Sequence, residues 1–155
     1  MVKMEIKGLL MDPVSNMPVV VLRDAANGVF LPIWVGIFEA NAIALQMEKI
    51  TTPRPMTHDL LKNLLGELDA KVEKIVINDL KDNTFFARIH LLRGETRWNV
   101  DSRPSDAIAL ALRVDAEIFV DSFFVGTGSD IEARRGLTLE AGRRIAGDGT
   151  SVRVV

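Results

Sequence analysis

The chain has 155 residues, of which 48% are hydrophobic and 26% charged, with a formal net charge of −2 and no cysteine. This length suits one domain that buries about 70% of its unfolded surface, and the composition excludes wholesale disorder and fibrous repeats. The missing cysteines exclude disulfides, thiolate metal sites and thiol nucleophiles, and the near-neutral charge weighs against a tight non-specific duplex binder, which needs a dense basic face.

The opening Met1-Val2-Lys3-Met4-Glu5 lacks the uninterrupted apolar core of a secretory signal, and no stretch is long and apolar enough to span a bilayer. A cytoplasmic chain without a membrane partner is the expectation. Residues 2–10 alternate partly and predict a first strand ending at Asp12-Pro13. Two runs, Met17 to Arg23 and Val29 to Val35, flank Asp24-Ala25-Ala26-Asn27-Gly28, whose Asn-Gly pair supplies the positive φ of a hairpin turn. Pro32 has no N–H to give a ladder, which predicts either an edge strand or a proline whose missing donor points outward. After Gly36, the residues Ile37, Ala40, Ile43, Ala44 and Met47 recur at helical spacing and predict a helix over roughly 37–49.

Thr51-Thr52-Pro53-Arg54-Pro55 ends that helix, because proline rings exclude the helix interior. A second helix is predicted over about 58–69, with Thr57 as N-cap and Asp59 in the first turn. Leu60, Leu61, Leu64, Leu65 and Leu68 are its expected core face. Lys71–Leu80, Thr84–Arg93 and Glu95–Val100 read as three strands, turning at Lys81-Asp82-Asn83 and at Gly94. In the middle strand Phe85, Ala87, Ile89 and Leu91 share one face, leaving Arg88 and His90 on a solvated one. A third helix over about 104–113 takes Pro104 in its first turn and buries Ala107, Ile108, Ala111 and Leu112; Glu117–Asp121 closes as a short strand.

These elements predict an α+β fold, a mixed and mostly antiparallel sheet with about three helices packed on it, in two hairpin-plus-helix units. Asn41-Ala42-Ile43-Ala44-Leu45 and Asp106-Ala107-Ile108-Ala109-Leu110 echo each other, with Trp34 and Trp98 at nearly the same spacing ahead of them. The echo also fits a common small-residue helix seam. Phe119, Phe123 and Phe124 make an apolar cluster expected to need covering. From Gly126 onward, six of the eleven glycines accompany Arg134-Arg135 and Arg143-Arg144, so residues 126–155 are expected to be a weakly ordered extension of a domain at 1–125.

Three motifs stand out in order: Leu31-Pro32-Ile33-Trp34-Val35-Gly36 with Glu39-Ala40; Arg54-Pro55 with Thr57-His58-Asp59-Leu60-Leu61; and Asp101-Ser102-Arg103-Pro104-Ser105-Asp106 leading into Ala107 to Ala111. Together they resemble the bifunctional nuclease domain family over roughly residues 1–125. The resemblance implies a compact α+β domain, a wedge-shaped homodimer and, as described for some members, cleavage of both RNA and DNA. It brings no established catalytic set, so candidate residues rest on chemistry.

Phosphodiester cleavage needs an activated water, neutralisation of charge building on the phosphate, and help for the departing oxygen. His58, Asp101 and Asp106 are the catalytic candidates, with His58 as general base at a helix N-terminus that disfavours imidazolium. Arg54, Arg103 and Ser105 are candidates to hold phosphate. Asp101 and Asp106 with Glu39 are candidates to hold Mg2+ or Mn2+. Each also has a structural alternative. Asp59 and Asp106 suit first helical turns, Thr57, Ser102 and Ser105 suit caps, Arg103 suits pairing with Asp101 or Asp106, and His58 suits a bond to a loop carbonyl. Trp34 and Trp98 are expected in a core or subunit interface rather than stacked on a base. The competing function is a non-catalytic homodimeric module whose Arg-Pro loops dock a partner or a phosphate-containing ligand.

Overall fold

In the computed structural model, which describes residues 1–124, Gly28 sits at φ 67° and closes the first hairpin as its sequence predicts. The Asp24 carboxylate supports the turn, accepting from the Ala26 N–H at 2.8 Å and from the Asn27 amide at 2.7 Å. The strands are β1 (Val2–Met11), β2 (Pro18–Asp24), β3 (Phe30–Trp34), β4 (Lys71–Lys81), β5 (Thr84–Arg93), β6 (Thr96–Ser102) and β7 (Glu117–Val120). The helices are α1 (Ile37–Met47), α2 (Thr57–Glu67) and α3 (Pro104–Val114), and a 3-10 turn spans Ser122–Phe124. The predicted extension at 126–155 lies outside the described residues.

The strands make one seven-stranded sheet in the order β3-β2-β1-β7-β4-β5-β6. Every pairing is antiparallel except β4 with β7. The α+β expectation therefore holds. Each half is a three-stranded meander followed by a helix, and β7 slots between β1 and β4 to join them. Val20, Leu22, Leu31 and Ile33 from the first meander, Ile75, Ile77 and Ala87 from the second, and Ile43, Ala107, Ile108 and Ala111 from the helices share one core. Alanines at 40, 107 and 111 let α1 and α3 lie close to each other and to the sheet. Pro32 is on an edge strand, as its missing donor requires.

The α2 leucines depart from expectation. Leu60, Leu61, Leu64 and Leu68 are 51, 40, 49 and 58% exposed, and the helix's one buried residue is His58. Periodicity correctly finds an apolar stripe, but it cannot say what covers it. Here α2 turns its polar first-turn residues, His58 and Asp59, toward α3. The cap also shifts by one position: Met56 is the N-cap and Thr57 the first helical residue, with the Met56 N–H donating to Asp59 Oδ2 at 2.9 Å. The phenylalanine cluster is partly covered from within the chain, because Phe124 is buried in edge-to-face contact with Phe85 and Phe123.

Asp12 anchors the end of β1. Its carboxylate accepts from the Ser15 hydroxyl at 2.6 Å, the Val14 N–H at 3.0 Å and the Trp34 indole at 3.1 Å. Those donors, the Ser15 hydroxyl foremost, lower its pKa from 3.8 to about 2. Because the folded value lies below the unfolded one, this stabilisation is complete above 3.8 and is lost as pH falls through about 2. Asp12→Asn should therefore flatten the acid-side loss of stability across that window. Tryptophan fluorescence during acid unfolding checks this, and an unchanged acid limb would count against the coupling.

Candidate functional site

The site starts at a glycine. A Cβ at Gly36 would stand 2.2 Å from Glu39 Oε2, so the Glu39 carboxylate folds back over the α1 N-cap into space that a larger residue would contest. From there Glu39 Oε1 accepts from Arg103 Nη2 at 2.8 Å. Arg103 is the N-cap of α3, in extended conformation ahead of Pro104, whose ring fits the first helical position. Its Nε donates to Asp106 Oδ2 at 2.8 Å, and Asp106 Oδ1 lies 3.0 Å from His58 Nε2. A continuous chain, Glu39–Arg103–Asp106–His58, thus links α1, the β6–α3 corner, α3 and α2.

Beside it runs a second link. Asp59 Oδ1 accepts from Arg113 Nε at 2.6 Å, and Arg113 Nη1 donates to the Ala109 carbonyl at 2.8 Å. The Arg113 side chain is only 3% exposed. The Asp59 carboxyl is held below the usual carboxylate range by the Met56 N–H and, after it, by Arg113. The Arg103 guanidinium is pushed above its ordinary value by its bonds to Asp106 and then Glu39. With its side chain 65% exposed, Arg103 is the member of the chain that meets solvent.

Four of the predicted residues, Glu39, His58, Arg103 and Asp106, come together, and the two Arg-Pro corners meet through His58 and Asp106 rather than through both arginines. His58 has a carboxylate partner, not the expected loop carbonyl. Three other candidates stand apart from the chain of bonds. Ser105 is 6% exposed, buried under the first turn of α3 and closed to a phosphate. Arg54 is exposed, and its backbone oxygen accepts from the Thr52 hydroxyl. Asp101 is exposed on β6, in register with Arg88 of β5.

As a set, Asp101, Asp106 and Glu39 do not fit a divalent ion. Asp106 spends one oxygen on His58 and the other on Arg103, Glu39 gives an oxygen to Arg103, and Asp101 makes no bond to either. Among the described residues no group of three or more His, Asp or Glu side chains is gathered to hold a metal. The sequence does not reveal the part-buried Asp59–Arg113 link, whose one signal is an arginine directly after the apolar run Ala107 to Leu112.

The family model described as "Bifunctional nuclease domain" matches residues 20–129. The chain belongs to the bifunctional nuclease domain family. Two uncharacterized proteins of Mycobacterium tuberculosis, from strains CDC 1551 and H37Rv, are each 39% identical to it over 119 residues, covering 77% of this chain and 71% of the relative. The bifunctional nuclease match contains all four linked residues and both Arg-Pro corners, while β1 falls ahead of it. No helix among the described residues of this family member is long and apolar enough to cross a membrane.

Proposed function

We propose that this protein is a cytoplasmic homodimer that hydrolyses phosphodiester bonds of RNA and DNA at the corner where Arg103 meets solvent. The observation that carries this reading is the Arg103 guanidinium itself. Two carboxylates fix it from behind through Nε and Nη2, which leaves its remaining N–H groups to grip a phosphate and to neutralise the charge that builds there. His58 lies one residue further along the same chain of bonds. With its Nε2–H given to Asp106, Nδ1 is the nitrogen left to take a proton from water, and Asp106 holds the imidazole in that tautomer. Both Asp106 oxygens and Glu39 Oε1 serve the arginine and histidine in this arrangement.

A second reading has its own support. His58 is 7% exposed, and both Asp106 oxygens are engaged, as expected of a tie between helices in a non-catalytic module that docks a phosphate-containing ligand or a partner. Purified protein incubated with single-stranded RNA and DNA, with Mg2+ or Mn2+ in one arm and a chelator in another, separates the two. Cleavage that Arg103→Ala abolishes supports the first reading. Binding to the same strands without cleavage supports the second, and cleavage indifferent to Arg103 removes the proposed site.

A further inference from the structure

The sheet has two unlike edges. One is β3, five residues long and interrupted by Pro32. The other is β6, seven residues with no proline, whose outer backbone groups meet no strand among the described residues. Such an edge is a template for another strand. Its sequence, Thr96-Arg97-Trp98-Asn99-Val100-Asp101-Ser102, is complementary to itself. Run antiparallel against a second copy with Asn99 on the two-fold axis, it sets Arg97 opposite Asp101 of the second copy at both ends, and Trp98 opposite Val100. Shifting the register by one residue destroys both matches.

The two faces of that junction agree with the pairing. Trp98 and Val100 align with Leu91 and Ile89 of β5 and so lie on the helix-bearing face, where they are 43 and 44% exposed. The bare leucines of α2 belong to the same side, since α2 packs on α3. Arg97, Asn99 and Asp101 align with Leu92, His90 and Arg88 on the opposite face. Arg97 already contacts Glu73 at 3.3 Å, whereas among the described residues no side chain bonds Asp101. Exposed apolar residues along an unpaired edge are surface that a two-fold axis would cover with its own copy.

The geometry points to β6 as the dimer seam: two copies pair antiparallel through β6 about Asn99, joining two sheets into one, with Trp98 and Val100 of each copy covering one another. This rests on the homodimer in the proposed function and adds its surface and register. It also gives Asp101 a role apart from the Arg103 corner, as the acceptor for the second copy's arginine.

The test exploits a chain free of cysteine, in which Asn99→Cys supplies the sole thiol. Residues directly opposite across an antiparallel pair have Cα atoms about 4.5–5.5 Å apart, within disulfide range, so this variant should oxidise to a covalent dimer. By sedimentation, Arg97→Asp and Asp101→Arg should each raise the dimer dissociation constant about tenfold or more, because like charges then face each other at two positions. The double swap should restore it. A monomer at every concentration overturns both this seam and the homodimer reading. A dimer that ignores the charge swap and leaves Asn99→Cys unlinked overturns the seam alone, and neither result touches the cleavage assay.

Discussion

Replacing Asp59 by alanine is expected to destabilise the domain by about 3 kcal/mol, read as a fall in the midpoint of urea unfolding. The reason is the guanidinium it would abandon. Arg113 is buried, and its two side-chain partners are Asp59 and the Ala109 carbonyl. Removing one member of a buried ion pair costs about 3–5 kcal/mol, chiefly through the charge left without a counterpart. The low end applies here, because the Asp59 side chain is itself 32% exposed and water can follow into the gap. The cap bond from Met56 is lost as well, adding about 1 kcal/mol to the case for a large effect. Asp59→Asn keeps an acceptor for Met56 but still withdraws the counter-charge of Arg113, so it should spare only the share of the loss that belongs to the cap bond. Combining Asp59→Ala with Arg113→Met should recover most of the loss, since an apolar side chain needs no counter-charge. A single alanine variant within about 0.5 kcal/mol of the native protein would sink this account of how α2 is held.

Local rules made most of the fold legible. The hairpin at Asn27-Gly28, the edge position of Pro32, the alternation through Ala87 and Ile89 and the start of α3 at Pro104 each follow from one or two residues whose conformational limits decide the outcome. The insertion of β7 between the two meanders was not legible, because a four-residue apolar run has the same pattern at an edge as at the centre of a sheet. The α2 stripe failed for a related reason. Its leucines have helical period, but what faces them depends on how the helix sits against α3, and that is set by His58 and Asp59 finding Asp106 and Arg113 some fifty residues away.

The cluster was legible in part of its membership, since Arg54, Asp101 and Ser105 stand apart from it, and not in its wiring. Glu39, His58, Arg103 and Asp106 drew attention as charged or titratable residues at helix starts, and they do assemble. Which carboxylate serves which cation was not written in the spacing. Asp101 is the nearer to Arg103 in sequence, yet Arg103 caps α3 and reaches forward along its own helix to Asp106, while Asp101 stays on β6. Gly36 held information that a bare motif hides: without a Cβ it leaves the Glu39 carboxylate space to lie back over the start of α1.

On the proposed nuclease reading, His58→Gln should lower the rate of RNA and DNA cleavage by about a hundredfold or more, the usual worth of a positioned general base, while leaving the fold intact. Glutamine can still donate an amide N–H toward Asp106 in place of His58 Nε2, so the tie between α2 and α3 survives. It has no nitrogen that accepts a proton near neutral pH. That difference separates a chemical role from a structural one, and circular dichroism with urea unfolding verifies that the tie is kept. Asp106→Asn probes the same arrangement from the other side. It keeps an oxygen that can accept from Arg103 or His58, but it withdraws the negative charge that steadies an imidazolium once the proton has moved. A rate loss in both variants, with the pH dependence of cleavage displaced in Asp106→Asn, is the signature of an acid–base pair. If His58→Gln cleaves at the native rate, the histidine serves only to join the helices, and the phosphate chemistry must lie elsewhere on the molecule.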